Sequence, residues 1–232
     1  MAKKKTKNSQ KDFIENIEED LTKFEIFFQK YQNQIIWVIT AIVVIIALVW
    51  GYQKYIKQPR EKEAMEQIFV AEKYFALDSF QLALNGADQY PGFLQIIEDY
   101  KGTKAANLSY YYSGVCYANM NQWQDAIEYL ERFKTKDLYL NSVKFGLIGD
   151  AYSELEDYNK AIDFYRKSIK DYSNYLITPI YMKKLGLIYE QLGEYKKAKE
   201  IYEELYKNYP ASNEGRTIEK YIERAKYHLE KK

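Results

Sequence analysis

The side chains able to do covalent or metal chemistry are few and scattered. Cys116 is the only cysteine and His228 the only histidine. A structural or catalytic metal needs several such ligands converging on one point, and neither residue has a companion at ligand spacing. A nucleophile needs an adjacent base, and none is placed to serve Cys116. No GxxxxGK[ST], GxSxG or HExxH run occurs. Asp and Glu pairs are plentiful, but they lie on charged helical faces where solvation accounts for them. The expectation is therefore no enzyme, no cofactor, no metal and no small-molecule substrate. Recognition of other proteins is the chemistry that remains. Nine positions carry that expectation: Tyr111, Val115 and Asn119, then Gly146, Asp150 and Glu154, then Lys183, Leu187 and Gln191. They mix apolar, amide and charged groups, which suits an adaptable peptide groove better than a reader of one charge sign.

An internal repeat must position those residues. Three segments align, SGVCYANMNQWQDAIEYLERF from Ser113, IGDAYSELEDYNKAIDFYRKS from Ile148, and LGLIYEQLGEYKKAKEIYEEL from Leu185. Glycine stands second in each (Gly114, Gly149, Gly186), and tyrosine follows three residues later (Tyr117, Tyr152, Tyr189). A second aromatic follows six further on (Trp123, Tyr158, Tyr195), and alanine three beyond that (Ala126, Ala161, Ala198). The copies are offset by 35 and then 37 residues, a period that signals stacked helical hairpins. Glycine and alanine suit a close crossing of two antiparallel helices, and the aromatics fill grooves between neighbouring pairs. One hairpin cannot bury its apolar face alone, so the pairs stack. The first helix of each pair is expected to line the concave side, and the nine positions above fall on those helices.

A degenerate copy precedes them. AEKYFALDSFQLAL places Ala71, Tyr74, Phe80 and Ala83 at the same offsets, and NGADQYPG interrupts it with turn signals. FLQIIEDY (93–100) reads as a displaced second helix. After Pro210, SNEGRTIEKYIERAKYHLEKK reads as a capping helix with Ile218, Tyr221, Ile222 and Ala225 turned inward.

Ahead of the repeats, IIWVITAIVVIIALVW (35–50) contains no charge and a single hydroxyl. Residues 35–52 make a helix of about 27 Å, near the roughly 30 Å of a hydrocarbon core. Ile35, Val44 and Ile45 lie within the span, and Trp37 and Trp50 sit near its ends like interfacial anchors. ALVWGYQKY offers no small-x-small cleavage site, so the segment is expected to persist as a transmembrane helix in contact with the lipid bilayer. The flanking charges give no single orientation. Before the span, the tail MAKKKTKNSQ reads as disordered. Ile14, Ile17, Leu21, Phe24, Phe28 and Tyr31 then form a helical stripe suited to docking on a membrane or a partner, with a short self-pairing coiled coil as the alternative.

Net charge is +1 over 232 residues, and residues 60–232 hold 25 Lys/Arg against 27 Asp/Glu. Such a balance excludes a dedicated nucleic-acid binder. Scarcity of proline and glycine (four and ten) fits an all-α chain. The expected layout is a tail and amphipathic helix (1–34), a transmembrane helix (35–52), and a helical junction with the degenerate repeat (53–106). Three clear repeats (107–210) and a capping helix (211–232) complete an α-solenoid.

The three segments resemble tetratricopeptide repeats. The layout resembles the YfgM-type ancillary subunit of the SecYEG translocon, on the strength of GYQKYIKQPREKEAMEQIFVAEKYFALDSFQLALNG, YPGFLQIIEDYKGTKAANL and YPASNEGRTIEKYIERA. That resemblance implies a bacterial inner-membrane protein with a cytoplasmic N-terminus and a periplasmic repeat domain. It also implies translocon subunits and periplasmic chaperones or clients as partners, with no catalytic residues. A scaffold that recruits chaperones or client chains at the inner membrane is the leading expectation. The alternatives are a structural coordinator of envelope assembly and a cytosol-facing repeat receptor.

Overall fold

A computed structural model describes residues 29–171 and 174–231. The basic tail and most of the amphipathic stripe (Ile14 to Phe28) lie outside the described residues. Two compact units divide at Pro59 and Arg60.

The first unit is described from α1 (residues 29–52), followed by a π-helical stretch, Gln53–Lys57. Pro59 lies two residues past the π stretch. It cannot donate to the carbonyl four residues back and its ring crowds that turn, which favours a local change of helical register. Side chains from Ile36 to Trp50 are exposed, Trp37 at 75% and Val44 at 50% among them. The helical run Gln29–Ala76 carries, among the described residues, the one stretch long and apolar enough to cross a membrane.

The second unit is a series of helical hairpins. It opens with α2 (Gln58–Ala76), α3 (Phe80–Asn85), a two-stranded antiparallel ribbon of β1 (Gly86–Ala87) and β2 (Tyr90–Pro91), and α4 (Phe93–Asp99). Three regular hairpins follow: α5 (Lys104–Asn119) with α6 (Trp123–Arg132), α7 (Leu138–Glu154) with α8 (Tyr158–Asp171), and α9 (Thr178–Gln191) with α10 (Tyr195–Asn208). A 3-10 turn (Gly215–Thr217) leads to α11 (Glu219–Glu230).

Each hairpin turns in the same way, although the residue at the turn differs from one to the next. Asp78, Asn121, Glu156 and Gly193 adopt left-handed φ values of 54°, 60°, 59° and 70°. One residue later the backbone N–H donates to the carbonyl of the repeat's tyrosine: Ser79 to Tyr74, Gln122 to Tyr117, Asp157 to Tyr152, Glu194 to Tyr189, at 2.8–2.9 Å. That bond satisfies a carbonyl the helix end leaves open. Asn121 and Gly193 tolerate the conformation well, whereas Glu156 holds it at a strain of about 1 kcal/mol or more. At the other ends, Thr103 Oγ1 accepts from the Ala106 N–H and Asp137 Oδ1 from the Leu140 N–H, capping α5 and α7.

Close crossings follow from missing side chains. A Cβ on Gly114 would lie 2.5 Å from Leu130 Cγ, and one on Gly149 would lie 2.7 Å from the Tyr165 ring; one on Gly186 would meet the Tyr202 ring. In each case the obstructing residue stands on the partner helix of the same hairpin. Ala126, Ala161 and Ala198 are fully buried on those partner helices. Tyr189 joins neighbouring pairs, since Arg166 of the preceding hairpin donates to its hydroxyl at 2.6 Å. Tyr117 packs against Tyr129 and Tyr152 stacks on Phe164. Trp123 and Tyr158 are partly buried against the core clusters, and Tyr195 stacks on His228 of α11 at 4.4 Å. Ile218, Ile222 and Ala225 turn inward, covering the last hairpin.

Candidate binding groove

The first helices of the three regular hairpins converge on one groove. Val115, Ala118 and Asn119 come from α5, Leu147, Asp150, Ser153 and Glu154 from α7, and Lys184, Leu187 and Ile188 from α9. Trp123 of α6 and Tyr165 of α8 also line it.

Apolar side chains (Val115, Leu147, Leu187 and Ile188) and polar ones (Asn119, Asp150, Ser153, Glu154 and Lys184) share its lining. The Tyr165 hydroxyl donates to Asp150 Oδ1 at 2.7 Å, and Lys184 Nζ donates to both Asp150 oxygens at 2.7 Å. Three helices are thus tied through one carboxylate. Burial pushes the Tyr165 hydroxyl upward from its ordinary pKa, and the Asp150 charge adds to the shift. The hydroxyl therefore stays protonated and keeps donating. Because both members of the Asp150–Lys184 pair are partly exposed, the ion pair itself contributes no more than about 1 kcal/mol. Its structural effect is to neutralise Asp150 within the groove. Glu154 is exposed at the rim, and among the described residues it has no ion-pair partner. Asn119 turns its amide N–H onto the Val115 carbonyl.

Five of the nine positions expected on the concave side line this groove: Val115, Asn119, Asp150, Glu154 and Leu187. The other four lie elsewhere. Tyr111 packs against Phe133 and Tyr112. Gly146 is buried, where any Cβ would strike the Tyr181 ring. Lys183 lies 5.1 Å from the Tyr221 ring of α11. Gln191 borders a separate depression with Glu190, Tyr195, Arg224 and His228. The reason is angular. Steps of four residues drift by about 40° each on a helix of 3.6 residues per turn, so the first position of each trio rotates toward a neighbouring helix. Leu147 and Lys184, one residue further on, take the groove-facing place. Alternating steps of three and four along each first helix would have found them. Tyr165 and Trp123 carry no such signal, because they reach the groove from second helices.

Cys116 is fully buried in α5, and burial pushes its thiol up to about 12. It is a small apolar packing residue in this fold. Among the described residues no group of His, Cys, Asp and Glu could hold a metal ion.

A family profile described as tetratricopeptide repeat matches residues 143–211, and a second of the same description matches residues 108–137. The hairpins are tetratricopeptide repeats. Solved structures share the fold of this tetratricopeptide array. One is a crystal structure of MamA, 21% identical, with a TM-score of 0.51, covering 72% of this chain and 88% of that one. Another is a putative kinesin light chain of Podosopora anserina with nearly identical TPR-like repeats. It is 15% identical, with a TM-score of 0.57, and the match covers 74% of this chain and 89% of that one. At these identities the likeness is one of fold. No curated protein matches the chain significantly.

Proposed function

We propose that this chain is a membrane-anchored scaffold whose tetratricopeptide groove holds a segment of another protein beside the membrane. The observation that carries the reading is the convergence of α5, α7 and α9 on one open groove whose lining mixes apolar and polar side chains and whose Asp150 is neutralised by Lys184. Such a surface accepts an extended or helical segment through side-chain pockets without demanding one charge sign. Residues 35–52 cross the inner membrane of a bacterium, with the array on the periplasmic side. The partners are translocon subunits together with the chaperones or client chains that meet at the exit. The scaffold itself performs no catalysis.

Two experiments test this. A topology reporter fused after Lys232 reads the side on which the array lies; cytoplasmic activity would overturn the periplasmic placement. Crosslinking and mass spectrometry in native membranes then compares the parent with a Val115→Ser, Glu154→Ser, Leu187→Ser variant, leaving Asp150 in place because it ties three helices. Loss of translocon and chaperone crosslinks from a variant that still folds by circular dichroism is the expected outcome. Undiminished crosslinks would show that the groove is not the binding surface. Crosslinks to cell-wall or outer-membrane machinery instead would favour a coordinator of envelope assembly.

A further inference from the structure

The two edges of the array differ in charge. Short junctions make successive helices antiparallel, so the junctions fall alternately on one edge and the other. One edge collects the turns within hairpins, where the charged residues Asp78, Glu156, Asp157 and Glu194 are all acidic, Asp157 and Glu194 being paired with Lys160 and Lys197 at 2.8 and 2.7 Å. The opposite edge collects the junctions between hairpins, together with the start of α2. Here Lys101 stands between α4 and α5, Arg132 ends α6, and Lys134 and Lys136 follow it, while the acids Asp99, Glu131 and Asp171 stand at the ends of α4, α6 and α8 and Glu61 at the start of α2. Asp137, in the same junction, is occupied in capping α7.

Lys101, Arg132 and Lys134 line one cleft with Gly102, Asn107 and Tyr110, and no carboxylate lines it. The cleft is built. Asn107 Nδ2 donates to the Lys134 carbonyl at 2.8 Å, while its Oδ1 accepts from the Lys134 N–H at 2.9 Å. Arg132 meets Glu128 at 2.7 Å, but both side chains are about half exposed and such a pair is weak. Among the described residues, neither Lys101 nor Lys134 has an acidic partner. Leu138, 55% exposed, follows Lys136 at the head of α7.

This edge is fastened to the chain just past the apolar span. Arg60 Nη2 donates to the Asp99 carbonyl at 2.7 Å, and the Glu61 carboxylate accepts from the Lys104 N–H at 2.8 and 3.0 Å. Arg60 stands eight residues after Tyr52. Even fully extended, that stretch reaches only about 28 Å. The basic cleft on this edge, with Leu138 beside it, is therefore confined near whatever surface the span ends in.

We propose that the inter-repeat edge docks on anionic lipid headgroups of the membrane that α1 crosses. Lys101, Arg132, Lys134 and Lys136 lie over headgroup phosphates, and Leu138 dips to their level. The inference rests on reading α1 as a membrane span. Lipid is favoured over a soluble acidic protein because the tether keeps the headgroups at high effective concentration, whereas a free partner would have to diffuse in. Docking of this edge leaves the acidic edge turned away from the membrane.

The test uses the full chain in vesicles, with an environment-sensitive fluorophore on Thr135→Cys in a Cys116→Ala background, and a control probe on Glu156→Cys at the other edge. Vesicles are phosphatidylcholine alone or with about 30 mol% phosphatidylglycerol. The Thr135 probe should blue-shift only with the anionic lipid and revert in about 0.5 M salt, where screening is nearly complete. The Glu156 probe should not respond. Changing Lys101, Arg132, Lys134 and Lys136 to Gln one at a time should lower the docked-to-undocked ratio about fivefold per charge, the equivalent of about 1 kcal/mol. Flotation with neutral vesicles reports the anchor separately. Chains that float but give no lipid-dependent signal would overturn the docking alone. Chains that fail to float, or that carbonate strips from the vesicles, would overturn both the span and the docking. A Thr135 signal raised by soluble polyglutamate and not by lipid would assign the edge to an acidic protein and overturn the proposal.

Discussion

Gly149→Ala tests the packing logic of the repeats most directly, because two opposing effects can be sized. Alanine is the better helix former by about 0.5–1 kcal/mol, so in an open helix the change would stabilise. Here the new Cβ would sit 2.7 Å from Cδ1 and Cε1 of Tyr165 and 3.3 Å from its Cγ. Carbon atoms in good contact lie about 3.5–4.0 Å apart, so either the ring or α7 must move by close to an ångström. The ring has little room. It is 2% exposed, its hydroxyl is bound to Asp150, and it stacks on Tyr181 at 5.9 Å between centroids. Overpacking of this kind costs about 1–3 kcal/mol, which matches or exceeds the propensity gain. The net loss is up to about 2.5 kcal/mol, and at about 2–4 °C per kcal/mol for an array of this size Tm should fall by up to roughly 10 °C. Ala161→Leu, on the facing helix and fully buried, has no propensity gain to offset it and should cost the full 1–3 kcal/mol. Melting of the detergent-solubilised chain, followed by far-UV circular dichroism, measures both. A Tm that rises on Gly149→Ala, or is unchanged by Ala161→Leu, would show that these helices do not cross where the repeat alignment places them.

Two further outcomes can be checked. Val44→Asp with Ile45→Asp should release the protein from membranes, since each mid-span carboxylate costs about 2.5–3.5 kcal/mol; carbonate extraction measures it, and retention of the double variant would refute the span. Raising the pH should unfold the array. Burial, with Glu72 adding, pushes Tyr112 up to about 12, and burial, with Tyr129 adding, does the same for Tyr117, while Tyr165, Tyr181 and Tyr202 also move upward. A folded pKa above the unfolded value near 10 contributes stability that is complete below about pH 10 and lost as pH rises through the folded value. Ultraviolet titration of phenolate should therefore show one class of tyrosines ionising near 10 and a second ionising only as the helical signal collapses. A single class with helicity intact would refute the burial of these rings.

The hairpins themselves were legible in the chain. Glycine, tyrosine, a second aromatic and alanine recur at constant offsets because each marks a local requirement of one hairpin: a close crossing, a groove-filling ring, the start of a second helix. The left-handed residue of each turn was less legible, since Asp78, Asn121, Glu156 and Gly193 share a conformation without sharing a residue type. The apolar run of α1 was legible because its composition alone distinguishes it. These are properties of ten to forty consecutive residues, the range over which spacing and hydropathy report directly on backbone geometry.

Contacts between hairpins were decided by tertiary structure. Asp150 accepts from Tyr165 fifteen residues on and from Lys184 thirty-four residues on; nothing in the spacing of an aspartate, a tyrosine and a lysine announces that three helices will bring them together. Gly146 looked like an open concave position, yet Tyr181 from the next hairpin fills the space above it. Lys183 and Lys184 are neighbours in sequence, but one lies beside the Tyr221 ring and the other pairs with Asp150 in the groove, because consecutive residues on a helix point about 100° apart. The basic edge likewise joins Lys101 and Lys134, which sit in separate junctions and meet only where Asn107 holds the second against the first helix of its pair. Periodicity sets the rotation of a side chain about its own helix; which neighbour it then meets depends on how the hairpins stack, and that is a property of the assembled array.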